Sequence, residues 1–95
     1  MTPEGKIKEE VKKILDGEEG VYYFFPAANG FGRTAIPDII ICVRGKFLAV
    51  ECKAGTKDAT ALQQRELSRI KDAGGTGIVI NETNVEHFGK FIGRL

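Results

Sequence analysis

Two continuously apolar segments, separated by a short polar turn, constrain the fold of this chain most strongly. The first covers residues 39–43 (IIICV) and the second begins at Phe47 (FLAV), with Arg44-Gly45-Lys46 between them. Apolar and β-branched runs of this length favour strands, and a short turn that contains glycine favours a hairpin. Because neither segment alternates apolar with polar residues, we predict a β-hairpin whose strands are buried on both faces.

The remaining apolar residues predict helices and two further strands around this hairpin. Helical spacing of apolar residues appears in three segments, residues 2–15, 60–73 and 84–95. Short β-favouring runs appear at residues 21–25 and 78–80, and residues 27–37 form a long loop. The resulting order, α-β-β-β-α-β-α, predicts an α/β fold with a mixed sheet flanked by helices.

Length and composition fit a single domain over residues 1–95. The chain is 42% hydrophobic and 28% charged, and no apolar run approaches the roughly 18 residues that a membrane span needs. Residues 1–15 lack the apolar stretch of a signal peptide, so we expect a cytoplasmic protein without membrane association. The net charge of +1 is not that of a stand-alone nucleic-acid binder. A role on nucleic acid would therefore need local charge asymmetry or oligomerisation.

Several groups of residues are interpreted as structural. Cys42 and Cys52 lie outside any metal-binding spacing and are predicted to be buried free thiols. The aromatic residues 22–25 are predicted to form a strand core, although alternate members must face outward and could form a dimer interface. The lysines of the first helix are expected to be solvated, namely Lys6, Lys8, Lys12 and Lys13.

Charged residues occur where the hairpin should be apolar. Glu51 and Lys53 point to the same side of the second strand, and Asp38 precedes the first strand. A short turn brings the far ends of both strands side by side, so these three residues can converge. Paired carboxylates repel unless a cation lies between them, and their hard oxygen ligands suit Mg²⁺ or Mn²⁺. Such a site could hydrolyse a phosphodiester; a turn cap and a surface ion pair remain the alternatives for the individual residues.

Two helices could add polar groups to this site. Gln63 shares the inward face of the second helix with Leu67, and Thr60-x-x-Gln63 also matches a capping box, so both roles stay open. On the first helix, Glu4 is the polar residue nearest the apolar face and could be a third carboxylate, with Glu10 as its rival. A favourable interaction of Glu4 with the helix dipole is the alternative.

The pattern Pro37-Asp38, then Glu51-x-Lys53, resembles the PD-(D/E)xK nuclease signature. Within that superfamily the chain resembles the virus-type replication-repair nuclease (VRR-Nuc) domains over nearly its whole length. The segments that carry the resemblance are residues 32–38 (GRTAIPD), 50–54 (VECKA), 60–63 (TALQ) and 73–75 (AGG). One departure is Ala35, which stands where the family usually has glycine; glycine tolerates a positive φ and alanine does not.

The resemblance implies a restriction-endonuclease-like fold and a DNA endonuclease that depends on Mg²⁺ or Mn²⁺. The residues that it assigns to the metal are Asp38, Glu51 and the backbone carbonyl of Cys52. The residues that it assigns to catalysis are Lys53, which would position the attacking water, with Gln63 and Glu4.

The resemblance also bears on partners. The resemblance to the minimal viral members of the family implies a homodimer that acts on branched DNA such as four-way (Holliday) junctions. It also implies a bacterial or phage-infected cell as the location. Arg33 and Lys57 flank the catalytic segments and are expected to contact phosphates, with an ordinary solvated charge as the alternative for Lys57. Two other functions stay open: a restriction-type or nicking endonuclease with another substrate, and a non-catalytic DNA-binding subunit with the same fold.

Overall fold

The computed structural model describes residues 1–27 and 34–95. The elements in chain order are α1 (Pro3–Asp16), β1 (Val21–Phe24), β2 (Ile39–Val43), β3 (Lys46–Cys52), α2 (Ala61–Asp72), β4 (Thr76–Ile80) and α3 (Val85–Arg94). This is the predicted order α-β-β-β-α-β-α. The first strand ends one residue earlier than predicted, and β4 begins two residues earlier. The central part of the predicted loop over residues 27–37 lies outside the described residues.

The strands form one four-stranded mixed sheet in the order β1-β2-β3-β4. Strands β1, β2 and β3 are antiparallel neighbours, and β4 runs parallel to β3 after the crossover through α2. In the hairpin Val43 pairs with Lys46, so Arg44 and Gly45 alone form the turn. Their φ angles are 45° and 88°. Positive φ at both central residues is the hairpin geometry that matches the right-handed twist of the strands.

Helices α1 and α3 cover one face of the sheet and build the core with it. The i, i+4 spacing of Ile7, Val11 and Leu15 places all three on the buried side of α1. The other core residues are Ile39, Ile41, Val43, Leu48, Val50, Cys52, Ile80, Phe88 and Ile92. Full burial of a side chain of the size of valine or larger contributes about 1.5–3 kcal/mol, so this layer holds the sheet and the two helices together.

Helix α2 covers only part of the opposite face, because it packs against β3 and β4. Ala49 and Glu51 of β3 are buried beneath it, whereas Ile40 is half-buried and Cys42 is exposed. The prediction that both hairpin strands are buried on both faces is therefore wrong for β2. For the same reason the prediction of a buried thiol is wrong for Cys42. It is confirmed for Cys52, which lies on the opposite face of the sheet, in the core.

In the edge strand β1 alternate aromatic residues face outward, as predicted. Tyr22 is 72% exposed and Phe24 47% exposed, because no described element covers their side of the sheet. Tyr23 points to the other side, where it packs on the core and meets Phe25 edge-on, with 6.0 Å between the ring centroids. Phe25 lies beyond the strand and is itself exposed. The aromatic run therefore builds core on one face only.

Arg44 ties the turn of the hairpin to the end of the chain. Its Nε donates to the carbonyl of Leu95 at 2.7 Å, and its Nη2 donates to the carbonyl of Ile92 at 2.6 Å. Its Nη1 donates to the carbonyl of Glu19. The guanidinium thus donates to carbonyl groups at the end of α3, although the Ile92 carbonyl also accepts the N–H of Leu95 at 3.2 Å. Within the described part of the chain, every helix is too short or too polar to cross a bilayer.

Candidate active site

Two acidic residues meet at the end of the hairpin opposite its turn. Ile39 pairs with Val50, so Asp38 lies beside the end of β3. The Asp38 Oδ2 atom accepts a hydrogen bond of 2.8 Å from the backbone N–H of Cys52, and its carboxyl group lies close enough to that of Glu51 to raise the pKa of Glu51. The structure therefore brings Asp38 and Glu51 together, as the hairpin register predicts, and the Cys52 amide fixes the position of the aspartate.

The carboxyl group of Glu51 is buried, with only 3% of the residue exposed. Its Oε1 accepts a hydrogen bond of 3.2 Å from Nε2 of Gln63, while its Oε2 has no hydrogen-bond partner among the described residues. Burial, and after it the contact with Asp38, raises the pKa of Glu51 to about 8. The charge of Glu4 also raises this pKa, and the charge of Lys53 lowers it. Without a bound cation, the proton on Glu51 is therefore retained at neutral pH.

Gln63 connects the start of α2 to this carboxyl group. Its backbone N–H donates to Oγ1 of Thr60 at 3.2 Å, and its Oε1 accepts from the backbone N–H of Thr60 at 2.8 Å. This is the predicted capping box. The side-chain nitrogen remains free for Glu51, so one amide group caps the helix with its oxygen and contacts the acidic pair with its nitrogen. The two interpretations that the sequence leaves open are compatible in this geometry.

The first turn of α1 adds a third carboxylate. Thr2 caps the helix by accepting a hydrogen bond of 2.9 Å from the N–H of Gly5. The next side chain toward the sheet is Glu4, which is half-buried and close enough to raise the pKa of Glu51. The rival residue, Glu10, is exposed. The geometry therefore favours Glu4 as the acidic residue that α1 presents to the site.

Lys8 is a member of the site that the sequence interpretation missed. Its Nζ lies 3.6 Å from Oδ1 of Asp38, so the prediction of a solvated lysine is wrong at this position. The packing of α1 across the end of the hairpin brings the two residues together. Lys8 follows the buried Ile7 and lies one turn after Glu4. This spacing places Glu4 and Lys8 on the same side of the helix, but it does not distinguish a solvated lysine from one that pairs with Asp38.

A groove runs beside the carboxylates, between the start of α1 and the loop after β3. It has a volume of about 730 Å³, and its walls include Glu4, Lys8, Lys57 and Glu82. The exposed Lys57 side chain thus lies on the same groove as Glu4 and Lys8. Lys53 is half-buried and close to Glu51. The other expected phosphate contact, Arg33, lies outside the described residues.

The oxygen atoms at this site fit a hard divalent cation. They comprise the carboxylates of Asp38 and Glu51. The buried Oε2 atom of Glu51 has no hydrogen-bond partner in residues 1–27 and 34–95. Over the same residues, no three acidic, histidine or cysteine side chains form a compact ligand cluster. Further ligands would have to come from the backbone or water. Burial raises the pKa of the Cys52 thiol to about 12, so Cys52 could supply its carbonyl but not a thiolate.

The sequence matches no protein-family model and no curated protein. The structure is similar to a solved VRR_NUC domain, with a TM-score of 0.81 and 22% identity over 95% of this chain and 97% of the other. It is also similar to a VRR_NUC domain protein, with a TM-score of 0.73 and 16% identity over 96% of this chain and 85% of the other.

A third similar structure is Archaeoglobus fulgidus Hjc, a Holliday junction resolvase from an archaeal hyperthermophile. The TM-score is 0.53 and the identity 21%, over 83% of this chain and 63% of the other. Likeness at these identities establishes the fold, and it confirms the mixed α/β architecture expected from the motifs. The chain therefore has the fold of the VRR-Nuc domains, the family that its motifs resemble.

Proposed function

We propose that residues 1–95 act as a single nuclease domain, a Mg²⁺- or Mn²⁺-dependent DNA endonuclease that hydrolyses phosphodiester bonds in branched DNA. Four-way junctions are its proposed substrate, and the cytoplasm of a bacterial or phage-infected cell is its proposed location. One observation carries this proposal: the buried carboxyl group of Glu51 has an oxygen without a partner in the described part of the chain, and it lies next to a second carboxyl group, that of Asp38.

The energetic cost of this arrangement supports a bound cation. Ionised Glu51 without a cation would be unfavourable by several kcal/mol, and the neighbouring Asp38 would add repulsion, so Glu51 keeps its proton until a cation replaces it. The fold does not require the charge, because the amide oxygen of an asparagine at Asp38 could accept the same hydrogen bond from Cys52. A divalent cation would remove the repulsion and supply the missing partner of Glu51.

The residues around the acidic pair have separate proposed roles. Asp38, Glu51 and the carbonyl of Cys52 would hold the cation, which when bound would polarise the scissile phosphate and lower the pKa of an attacking water. The ammonium group of Lys53 would orient that water and offset developing negative charge. Gln63 would hold the carboxyl group of Glu51 through the contact at Oε1.

Contacts outside this centre would orient the DNA. Glu4, the third carboxylate beside the acidic pair, would complete the metal site. Lys57, on the wall of the same groove, and Arg33 would contact phosphates. Phosphate contacts of this kind position the substrate without reading its sequence, which agrees with recognition of a branched structure.

The proposed substrate rests on the similarity to a protein named as a Holliday junction resolvase. A homodimer would match the two-fold symmetry of such a junction. The exposed aromatic side chains of Tyr22, Phe24 and Phe47 lie on one face of the sheet and support a second copy as the partner. Sedimentation of the purified protein measures this: a dimer is expected, and a monomer at the concentrations of the cleavage assay would contradict it.

Cleavage of a panel of labelled DNA substrates tests the proposed activity. The panel contains a four-way junction, a flap, a splayed arm, a duplex and a single strand, each made in the same set of several sequences, with Mg²⁺, Mn²⁺ or chelator. We expect cleavage of the junction that needs metal and shows no sequence preference. Cleavage of duplex at one sequence would favour the restriction-type or nicking alternative. Metal-independent binding without cleavage would favour the non-catalytic subunit.

A further inference from the structure

We propose that Lys8 is a built-in counter-cation of the carboxylate site: its ammonium group stabilises the site before metal binds and competes with the divalent ion for it. This inference rests on the proposed metal-dependent function. It gives a role to Lys8, which the sequence motifs do not include and to which the proposed function assigns no task.

The contacts of Asp38 define the position of Lys8. One oxygen of the aspartate, Oδ2, accepts the N–H of Cys52 at 2.8 Å, and the other, Oδ1, lies 3.6 Å from the Nζ of Lys8. Both oxygens of the carboxylate therefore face a positive or proton-donating group. The side chain of Asp38 is 21% exposed and that of Lys8 is 39% exposed, so the pair lies at the mouth of the site.

This ion pair differs from an ordinary helical surface pair. One turn later on α1, Lys12 contacts Asp16 at 2.9 Å with both side chains about half exposed, a local i, i+4 contact within the same helix. Such exposed pairs contribute little. Lys8 instead pairs with a residue from another segment, Asp38, which the register of the hairpin places beside the buried Glu51. The ammonium of Lys8 therefore neutralises part of a coupled acidic pair.

A divalent cation bound by the same carboxylates would be repelled by this ammonium group. Removal of one unit charge a few ångströms from a divalent ion, even at the dielectric constant of water, strengthens binding by about tenfold. The lysine also has a flexible four-carbon stem that ends at the open groove, so the ammonium can leave Asp38 when metal arrives. There it would join Lys57 and add positive charge toward a DNA phosphate.

Calorimetric titration of the DNA-free protein with Mn²⁺ alone tests the competition. We expect Lys8→Gln to bind Mn²⁺ about tenfold more tightly than the unmodified chain. Lys12→Gln removes a lysine of the same helix whose partner lies outside the site, and it should leave the affinity unchanged. Lys8→Arg keeps the charge and should restore the original affinity, which a purely structural role of the lysine stem would not predict.

Melting temperatures provide a second readout that does not depend on catalysis. In chelator, Lys8→Gln should melt at a lower temperature than the unmodified chain, and it should gain more on addition of Mn²⁺. Equal or weaker Mn²⁺ binding by Lys8→Gln, with normal binding by the unmodified chain, would overturn the role of Lys8 and leave the proposed function intact. Absence of Mn²⁺ binding by the unmodified chain would overturn both.

Discussion

Glu51 is the residue on which the candidate site depends most, because burial and metal binding favour opposite protonation states of its carboxyl group. The packing of α2 over β3 removes its side chain from water, which favours the neutral acid. Metal binding requires the anion. The contact with Gln63 and the nearby charge of Lys53 reduce the cost of the anion without removing it. The protonation state of this one residue therefore couples stability, pH and metal binding.

This coupling predicts the pH dependence of stability in chelator. The pKa of Glu51 is about 8 in the folded state against 4.5 as the ordinary value, so the folded protein holds a proton that the unfolded chain releases. The free energy of unfolding should fall as pH rises between these two values, by up to about 1.4 kcal/mol per pH unit. Glu51→Gln should remove this slope in urea denaturation. Parallel pH profiles for both proteins would contradict the shift.

Ala35 provides a second prediction at this scale. Its φ is 58°, so the position does adopt the left-handed conformation that glycine favours. Because this conformation costs a residue with a side chain about 1–2 kcal/mol, Ala35→Gly should raise the free energy of unfolding by about 1 kcal/mol. The control is Ala27→Gly, at an exposed position without positive φ. This substitution should not raise the free energy of unfolding. Equal effects of both substitutions in urea denaturation would argue against strain at Ala35.

The sequence predicts some of these residues and not others, for physical reasons. Asp38 and Glu51 could be placed together because the register of a tight hairpin determines which strand ends meet. Lys8 could not, since a lysine beside an apolar helix face looks the same whether it is solvated or paired with a distant residue. That pairing depends on how α1 crosses the sheet, which no local pattern encodes.

Among the elements, α2 has the most direct influence on the site, because its first turn is both capped and bonded to Glu51 through Gln63. The helical periodicity and the capping box are local signals, so the sequence predicts where this helix begins. The extent of its coverage is a tertiary property. The apolar run of β2 predicts burial on both faces because it carries no information about which strands α2 covers. In the structure α2 packs over β3 and β4 and leaves Cys42 exposed.

Two substitutions separate the roles of this helix start. Thr60→Ala removes the cap and should lower the free energy of unfolding by about 1 kcal/mol. Gln63→Ala should cost similar stability and should also lower the cleavage rate by about 10–100-fold, because it removes the group that orients Glu51. Urea denaturation and junction cleavage under saturating Mg²⁺ measure the two effects. Equal cleavage rates for the two variants would restrict Gln63 to helix capping.

Across the whole molecule, the two ends of the hairpin have different tasks. The end with Asp38 and Glu51 carries the candidate site, and the turn end carries Arg44, which binds the carbonyls that follow α1 and end α3. The order of elements and the crossover were predictable, because they follow from consecutive local patterns. The role of Arg44 was not, since its acceptors Ile92 and Leu95 are distant in sequence.

Arg44→Ala should therefore destabilise the fold without direct loss of chemistry. It removes hydrogen bonds from a charged group to three carbonyl groups, and a loss of about 2 kcal/mol in the free energy of unfolding is expected. Arg65→Ala, at an exposed position of α2, should change stability little. Thermal melting compares the two. A melting temperature of Arg44→Ala equal to that of Arg65→Ala would show that the contacts contribute nothing to stability.

The most direct test of the account is the rate at which Asp38→Asn cleaves a labelled four-way junction in Mg²⁺, beside the unmodified chain with and without chelator. Asparagine can still accept the hydrogen bond from Cys52, so the variant should keep the fold and lose the carboxylate. We expect cleavage by the unmodified chain, none in chelator, and loss of cleavage in a variant that melts normally. Undiminished cleavage by folded Asp38→Asn would contradict it.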